Sequence, residues 1–288
     1  MGERLVFDVE TKRNGEYITP GKPDRLKEYK TVDKKFGLTV LKATPGGERE
    51  VELEFLSIRD RIILGDKTVM DYDSTKKPTA GKPDPLAGIY GKIVGSKVRF
   101  FLDATNGVER VEGIDEMMSR LQTGATPADL APLKSMYNEG YFKQMMSANR
   151  YMPPKAVQPG DTWPVHIEIP MGMMGTLELD YTFTFKSWEM HGKRNCARLE
   201  FDGSIKSKPD TNASPTGMSI NITGGDSSGI SWFDPDLGIV IDTTMNQDMN
   251  MTINLPMNPR GNAGAAGQMQ SMKSQMSQAL TIKLVSVK

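Results

Sequence analysis

The stretch that decides the fold is residues 239–257, IVIDTTMNQDMNMTINLPM. Its odd-numbered positions are mostly apolar, and its even-numbered positions mostly carry amides, hydroxyls and carboxylates. Successive side chains of a β-strand point to opposite faces, so this alternation predicts one extended strand with an apolar face and a polar face. A helix would scatter both sets of side chains around its axis, because its period is 3.6 residues.

The length and apolar content of this strand predict a large sheet. At about 3.3 Å per residue the strand would be about 60 Å long, so we expect it to bend, twist or break. Its eight apolar side chains correspond to roughly 12–24 kcal/mol of burial as an upper bound, more than the about 5–15 kcal/mol net stability of a typical domain. Other parts of the chain must therefore cover this face.

Composition excludes several classes of protein. The 288 residues contain 36 basic and 36 acidic side chains, so no charge excess predicts binding to nucleic acid or to an anionic membrane. The single cysteine, Cys196, excludes an internal disulfide and a multi-cysteine metal site. No apolar run reaches the roughly 18 residues of a membrane-spanning helix. The chain opens directly into an alternating segment, which is compatible with a cytoplasmic protein or with an exported one that has lost its leader.

Two blocks of strands flank a helical segment. Residues 1–112 and 149–288 contain repeated alternating segments, whereas Ile114, Met117, Met118 and Leu121 have the spacing of an amphipathic helix. A second helix is predicted from Pro132 to about residue 148. We therefore predict one α+β domain over residues 1–288, a large, strongly curved antiparallel sheet with the helices of 113–148 packed on its concave face.

Several local features give further predictions. The apolar alternation changes phase between Phe55 and Ile58, which is typical of a β-bulge. Composition predicts loops at residues 14–24 and 74–88, and two or three strands between Ile89 and Val111. Methionines 269, 272 and 276 fit the stripe of a helix, followed by a last strand.

Two similar segments, 101–108 and 232–239, each place an aspartate four residues before a glycine. We interpret both as turns in which Asp103 or Asp234 accepts backbone hydrogen bonds and the glycine takes a positive φ. A calcium loop at Asp234 and Asp236 is the alternative, but it lacks the further acidic ligands of such loops.

Candidate chemical residues are few. His166 and Glu168 share the polar face of a strand, but no third metal ligand or nucleophile motif accompanies them. His191 lies in a turn and is predicted to be solvated, and Cys196 is predicted to be structural. We predict no catalytic residue, metal site or cofactor. The twenty methionines are compatible with core packing, with an adaptable apolar ligand face, or with copper(I) binding by thioethers.

The turns VQPGDTW, residues 157–163, and FDPDLG, residues 233–238, resemble those of an uncharacterised family of exported bacterial proteins. The arrangement of helices between blocks of curved strands also resembles the half-barrel of bacterial lipoprotein carriers. This resemblance implies a periplasmic or other cell-envelope location and a lipid or acyl-chain ligand, and it carries over no catalytic residue.

The leading functional hypothesis is a non-enzymatic envelope protein that binds an apolar ligand between the helices and the sheet. The predicted lining residues are Leu179, Tyr181, Phe183, Met245, Met249, Met251 and Ile253. One alternative is a structural or protein-interaction module with a sealed core, which would contact an unknown envelope partner. Another is a hydrolase built around His166 and Glu168.

Overall fold

The computed structural model describes residues 2–18, 21, 25–76, 85–105, 107–122, 137–146, 151–153, 155–170, 175–208, 219–256 and 269–288. Twelve strands dominate this part of the chain. The first six are β1 (Arg4–Ile18), β2 (Arg25–Ala43), β3 (Arg49–Leu64), β4 (Lys67–Asp73), β5 (Lys97–Leu102) and β6 (Val108–Glu112). The other six are β7 (Thr162–Pro170), β8 (Thr176–His191), β9 (Arg194–Lys208), β10 (Ser219–Asp234), β11 (Ile239–Pro256) and β12 (Met269–Val287). The described helices are α1 (Pro85–Ile93), α2 (Ile114–Gln122) and α3 (Glu139–Met146).

All twelve strands belong to one antiparallel sheet, which confirms the prediction of a large antiparallel sheet. Their order is β6-β5-β3-β2-β1-β12-β11-β10-β9-β8-β7, and β4 pairs with the remaining part of β3. The first and last strands, β1 and β12, pair with each other in the middle of the sheet. The two predicted blocks of strands are therefore joined by main-chain hydrogen bonds along this central pair.

The buried apolar side chains form two clusters on one face of the sheet, which we call the inner face. The first cluster combines β3, β5 and the helices, with Leu53, Val98 and Phe100 at its centre. The second combines β7 to β11, with Ile167, Phe183 and Ile205 among its most buried members. The opposite, outer face carries the polar side chains of the alternating strands.

The helices lie near the ends of the sheet. Helix α2 contacts α1 and β5, and α3 has α-carbons within 8 Å of both β6 and β7, the two terminal strands. In a flat sheet these terminal strands would be about 48 Å apart, because neighbouring strands are about 4.8 Å apart. The sheet is therefore far from flat.

The opening stretch forms the predicted strand. Strand β11 runs without interruption from Ile239 to Pro256 and pairs with β10 and β12 along most of its length, and Met257 lies outside the described residues. Its apolar face is turned inward, since Ile241, Met249 and Met251 are buried. The predicted bulge is also present, because β3 slips by one residue against β2 between Phe55 and Ser57.

Three predictions about elements are wrong. Residues 85–93 form helix α1, where a loop and the start of a strand were predicted. Residues 269–287 form one strand, so the methionine stripe is not helical. The loop predicted at 14–24 begins later, because β1 continues to Ile18 and pairs there with Arg25.

The predicted helix from residue 132 is seen only as the shorter helix α3. Residues 131–136 and 147–148 lie outside the described part, and Tyr137 precedes the helix in a bend. Helix α2, in contrast, begins at Ile114 as predicted, and Met117, Met118 and Leu121 are buried. Within the described residues, no helix has the length and apolar character needed to cross a membrane.

Candidate functional site

Six of the seven predicted lining residues lie in the second core cluster. Leu179, Tyr181, Phe183, Met249 and Met251 are buried in that cluster, and Met245 is half-buried against it. Ile253 is half-buried on the same strand face and pairs with Ile220 and Met272, outside the cluster core. Strand alternation therefore placed all seven side chains on one face.

Aromatic stacking fills the part of this cluster nearest β7. The ring centroid of Phe183 lies 5.8 Å from that of Trp163 and 5.1 Å from that of Phe201, both in stacked geometry. Tyr181 meets Phe201 edge to face at 5.4 Å. These rings contact one another closely, so the accessible members of the predicted set are Met245 and Ile253.

A row of hydrogen-bonded polar side chains begins at Tyr181 in this cluster and extends across the inner face toward β12. Tyr181 Oη donates a hydrogen bond to Ser227 Oγ at 3.2 Å, and Gln247 Nε2 lies 3.5 Å from the same oxygen. Gln278 Nε2 then donates to Gln247 Oε1 at 3.0 Å. Arg13 of β1 lies directly opposite Gln278 in the pairing of β1 with β12. This polar row therefore extends from β8 to β1 across five strand boundaries, and it ends at a cation.

The inner face of the central strands carries apolar side chains that neither core cluster includes among the described residues. Leu280 of β12 pairs with Met245 of β11 and with Thr11 of β1, and Thr11 pairs with Val32 of β2. Ile282 and Val9 form the neighbouring pair. These side chains are half-buried, whereas the corresponding positions at both ends of the sheet are buried. We call Val9, Val32, Leu280 and Ile282 the central strip.

A cavity of about 150 Å³ lies beside the central strip. Its lining combines two valines, a hydroxyl, an amide and three cationic side chains: Val9, Thr11, Arg13, Lys30, Val32, Lys34 and Gln278. The cavity lies on strands β1, β2 and β12, whereas the predicted lining residues belong to β8 and β11.

Two of the three cations have carboxylate partners that are not among the lining residues. Arg13 forms an ion pair with Glu28, and Lys30 Nζ lies 3.1 Å from Asp60 Oδ2. Asp60 is 1% exposed and also accepts a hydrogen bond of 2.7 Å from Tyr90 Oη of α1. Among the described residues, no ion pair involves Lys34.

Burial lowers the pKa of Lys34, and repulsion from Lys30 lowers it further, while Asp60 acts in the opposite direction. Burial also raises the pKa of Tyr181, although its hydrogen bonds to Ser227 and Gln247 partly offset this. Both effects have the same cause, because the inner face withdraws ionisable groups from water.

His166 and Glu168 lie on the outer face, as predicted. The His166 side chain is 55% exposed, and its Nδ1 lies 2.6 Å from Asp180 Oδ1, with Glu168 3.7 Å from Nε2. The hydrogen bond with Asp180 raises the pKa of His166. Within the described part of the chain, no group of three histidine, cysteine or acidic side chains could hold a metal ion.

His191 is not simply solvated. Its ring stacks on Trp232 with centroids 4.3 Å apart, and Nε2 lies 3.0 Å from Asp242 Oδ2. Cys196 is fully buried, and this burial raises the pKa of its thiol. It therefore lacks the exposed, electropositive surroundings typical of a reactive thiol.

The turn after β10 has the predicted form. Asp234 Oδ1 accepts hydrogen bonds from the backbone N–H groups of Asp236 and Leu237, and Gly238 has φ +68°. Arg194 pairs with the other carboxylate oxygen of Asp234 at 2.7 Å. Asp103 also accepts backbone hydrogen bonds, but Gly107 lies outside the positive-φ region, so that part of the prediction is wrong.

The cationic side chains of the inner face were missed in the sequence. The signal was present, since Lys30, Val32 and Lys34 have the same parity as Phe36 and Leu38, which contact the first core cluster. Two lysines on the otherwise apolar face of a strand are unusual, because charged side chains are seldom buried without a partner.

The fold and the inner face together define a single-sheet antiparallel protein of twelve strands with few helices. The chain belongs to the family of unknown function DUF6263, whose model matches residues 47–262. A comparison with curated proteins gives no match.

Likeness to solved structures is distant. A lipovitellin structure whose title refers to lipid–protein interactions has a TM-score of 0.47 and 10% identity, and the alignment covers 100% of this chain and 25% of that one. This chain thus spans a quarter of the length of that protein. A DUF1329 family protein from Desulfovibrio piger has a TM-score of 0.17 and 8% identity, with coverage of 96% and 85%. The outer membrane protein OprG from Pseudomonas aeruginosa has a TM-score of 0.22 and 6% identity, with coverage of 98% and 94%.

Proposed function

We propose that the protein is a non-enzymatic binding protein of the cell envelope that holds an apolar ligand, such as an acyl chain, on the inner face of its sheet. The observation that supports this most strongly is the central strip. Its side chains, Val9, Val32, Leu280 and Ile282, lie between two buried core clusters and are themselves only half-buried. An apolar ligand would complete the burial of this strip, and each buried methylene contributes about 0.8 kcal/mol.

In this proposal the sheet is a half-barrel and the helices cover part of its concave face. The contacts of α3 with both terminal strands support this arrangement, as does the burial of Phe142 beside Phe100. The ligand would lie between these helices and the central strands. Met245 and Ile253 would contact it directly, while Leu179, Tyr181 and Phe183 would form the packed wall behind them.

Methionine gives this face the adaptability that a variable acyl chain requires. Met245 and Met276 are half-buried at the edge of the second cluster, next to the central strip. Thioether side chains are flexible and polarizable, so they accommodate apolar partners of different shape. The envelope location rests on the turns at residues 157–163 and 233–238, and cell fractionation with antibody detection tests it directly.

Binding of the neutral fluorescent probe N-phenyl-1-naphthylamine tests the site. The wild-type protein is expected to bind the probe, and Leu280→Trp is expected to weaken binding about tenfold or more by filling the strip, since overpacking leaves no room for the ligand. Val285→Trp is the matched control, because Val285 is 43% exposed on the same strand. Far-UV circular dichroism verifies that both variants fold.

Native mass spectrometry of gently purified protein provides the independent measurement. A stoichiometric lipid or fatty acid in the wild-type protein, absent from Leu280→Trp, is the expected result. If the wild-type protein neither carries such a molecule nor binds the probe, the proposal is wrong.

One observation favours the alternative of a protein-interaction module. Trp188 and Met190 lie at the end of β8 with 49% and 66% exposure, and exposed large apolar side chains that cluster often mark contact sites. Sedimentation of the wild-type protein and of Trp188→Ser over a range of concentrations tests this. Association that depends on Trp188 would support the alternative, and a monomer at all concentrations would contradict self-association.

A further inference from the structure

The cavity beside the central strip has a different chemistry from the strip itself. Arg13, Lys30 and Lys34 line it from two adjacent strands, with Arg13 opposite Lys30 and Lys34 opposite Val9 in the register. Three cations around a cavity of about 150 Å³ repel one another unless negative charge is near.

The carboxylates of the protein only partly supply that charge. Glu28 and Asp60 pair with Arg13 and Lys30, but neither carboxylate is among the residues that line the cavity. Lys34 is the remaining cation. The charged groups that act on it are Lys30 and Asp60 of the inner face.

Hydrogen-bonding capacity in this region is also incomplete. The buried Nε–H of Arg13 and the buried Oδ1 of Asp60 have no hydrogen-bond partner among the described residues. Asp60 itself is 1% exposed, with its other oxygen held by Lys30 and Tyr90. Buried polar atoms are normally satisfied, so the N–H donor of Arg13 indicates an acceptor bound beside it, whereas Asp60 Oδ1 is itself an acceptor and would pair only with a donor.

The surroundings restrict what that ligand can be. Val9 and Val32 belong both to the cavity and to the central strip, so a molecule in the cavity also contacts apolar side chains. Thr11 and Gln278 add a hydroxyl and an amide to the lining. Guanidinium and ammonium groups bind carboxylate and phosphate oxygens through charge-assisted hydrogen bonds.

We infer that Arg13, Lys30 and Lys34 bind the anionic head group, a carboxylate or a phosphate, of an acyl ligand whose chain lies along the central strip. This inference rests on the proposed function, because it assigns the polar end of the same ligand. It concerns strands β1, β2 and β12, which lie outside the residues 47–262 matched by the family model.

Isothermal titration with matched amphiphiles tests the assignment. Dodecanoate and dodecan-1-ol have the same chain and differ in the charge of the head group, while acetate and inorganic phosphate are anions without a chain. Wild-type protein is expected to bind dodecanoate about tenfold or more tighter than dodecan-1-ol, as charge-assisted hydrogen bonds are about twice as strong as neutral ones. Acetate and phosphate are expected to bind far more weakly than dodecanoate.

The decisive variant is Lys34→Met, which keeps an unbranched side chain of nearly the same length and removes its charge. It is expected to bind dodecan-1-ol as the wild-type protein does and to lose most of the preference for dodecanoate. Lys35→Met is the matched control, because Lys35 lies on the outer face of the same strand, 3.3 Å from Asp8. Lys34→Gln provides a second substitution, and circular dichroism verifies folding of all three variants.

The outcomes separate this inference from the proposed function. Equal affinity for dodecanoate and dodecan-1-ol would overturn the head-group site and leave the apolar site intact. Acetate or phosphate binding as tightly as dodecanoate would assign the cavity to a free anion and would also overturn the inference. Failure of both amphiphiles to bind would overturn the proposed function itself.

Discussion

Gly229 lies where neighbouring strands approach β10 too closely for any side chain. A Cβ atom built on it would overlap the carbonyl oxygen of Thr244 and the ring of Phe201. We therefore expect Gly229→Ala to lower the free energy of unfolding by about 1–3 kcal/mol, the usual cost of overpacking. Gly224 of the same strand has no atom within 4 Å of its Cβ position, so Gly224→Ala is the control. Urea unfolding measures both, and equal effects would contradict the close approach at Gly229.

His166 provides a test of the outer face by pH titration. Its raised pKa comes first from the hydrogen bond with Asp180, and Glu168 contributes less. The stability from this contact is present below the unfolded pKa of about 6.5 and is lost as pH rises through the raised folded value. In an NMR titration we expect Asp180→Asn to lower the pKa of His166 clearly, and Glu168→Gln to lower it less. No change in Asp180→Asn would show that the contact is absent in solution.

At the residue scale the sequence predicted which apolar side chains share the inner face, and it missed the cationic side chains of that face. The alternation of Met245, Met249 and Met251 correctly placed these side chains on the inner face. Lys30 and Lys34 share the parity of Phe36, but they were not recognised because a lysine in a strand usually faces water. Their register partners, Arg13 and Val9, show that they face inward. Pairing between distant strands is not encoded in the local pattern of either strand.

Among the elements, helix α3 packs on the first core cluster through Tyr141 and Phe142. Phe142 is fully buried, and its ring centroid lies 6.2 Å from those of Phe100 and Tyr137. We expect Phe142→Ala to cost about 3–5 kcal/mol, typical of removing a buried aromatic side chain. Thermal unfolding followed by circular dichroism provides the measurement.

The control for this prediction is Phe101→Ala. Phe101 is half-buried on β5, and its main contact is a cation–π interaction with Arg110. The guanidinium carbon of Arg110 lies 3.7 Å from the centroid of the ring. Its replacement is expected to cost about 1 kcal/mol, as for a partly exposed cation–π contact. Similar losses in both variants would mean that α3 does not contribute to the first core cluster.

The sequence did not predict the correct secondary structure for segments whose residues are compatible with both a helix and a strand. Methionines 269, 272 and 276 fit a helix, but Met272, Met276 and Leu280 also share the parity of a strand, and pairing with β1 and β11 decides for the strand. Helix α1 contains two glycines, which disfavour a helix. Tertiary contacts stabilise it, because Ile93 is fully buried and Tyr90 donates a hydrogen bond to Asp60.

At the scale of the whole molecule, the central strands hold the two halves of the sheet together. Strands β1, β2 and β12 lie between β3 and β11, and they come from the first and last parts of the chain. The family match at residues 47–262 contains both core clusters and lacks these three strands. The sheet therefore depends on segments that are distant in sequence, which is why the pairing of its two halves could not be read from any one stretch.

A fragment of residues 47–262 tests this dependence. Without β2 and β12, the long strands β3 and β11 would each expose an unpaired edge, and exposed edges of this kind associate with other chains. We expect the fragment to aggregate in size-exclusion chromatography and to lack a cooperative thermal transition, whereas the full chain remains monodisperse and unfolds cooperatively. Adding a separate peptide of residues 269–288 should at best restore the β11 edge and leave β3 unpaired. A monomeric fragment that unfolds cooperatively would show instead that the two clusters fold without β1, β2 and β12.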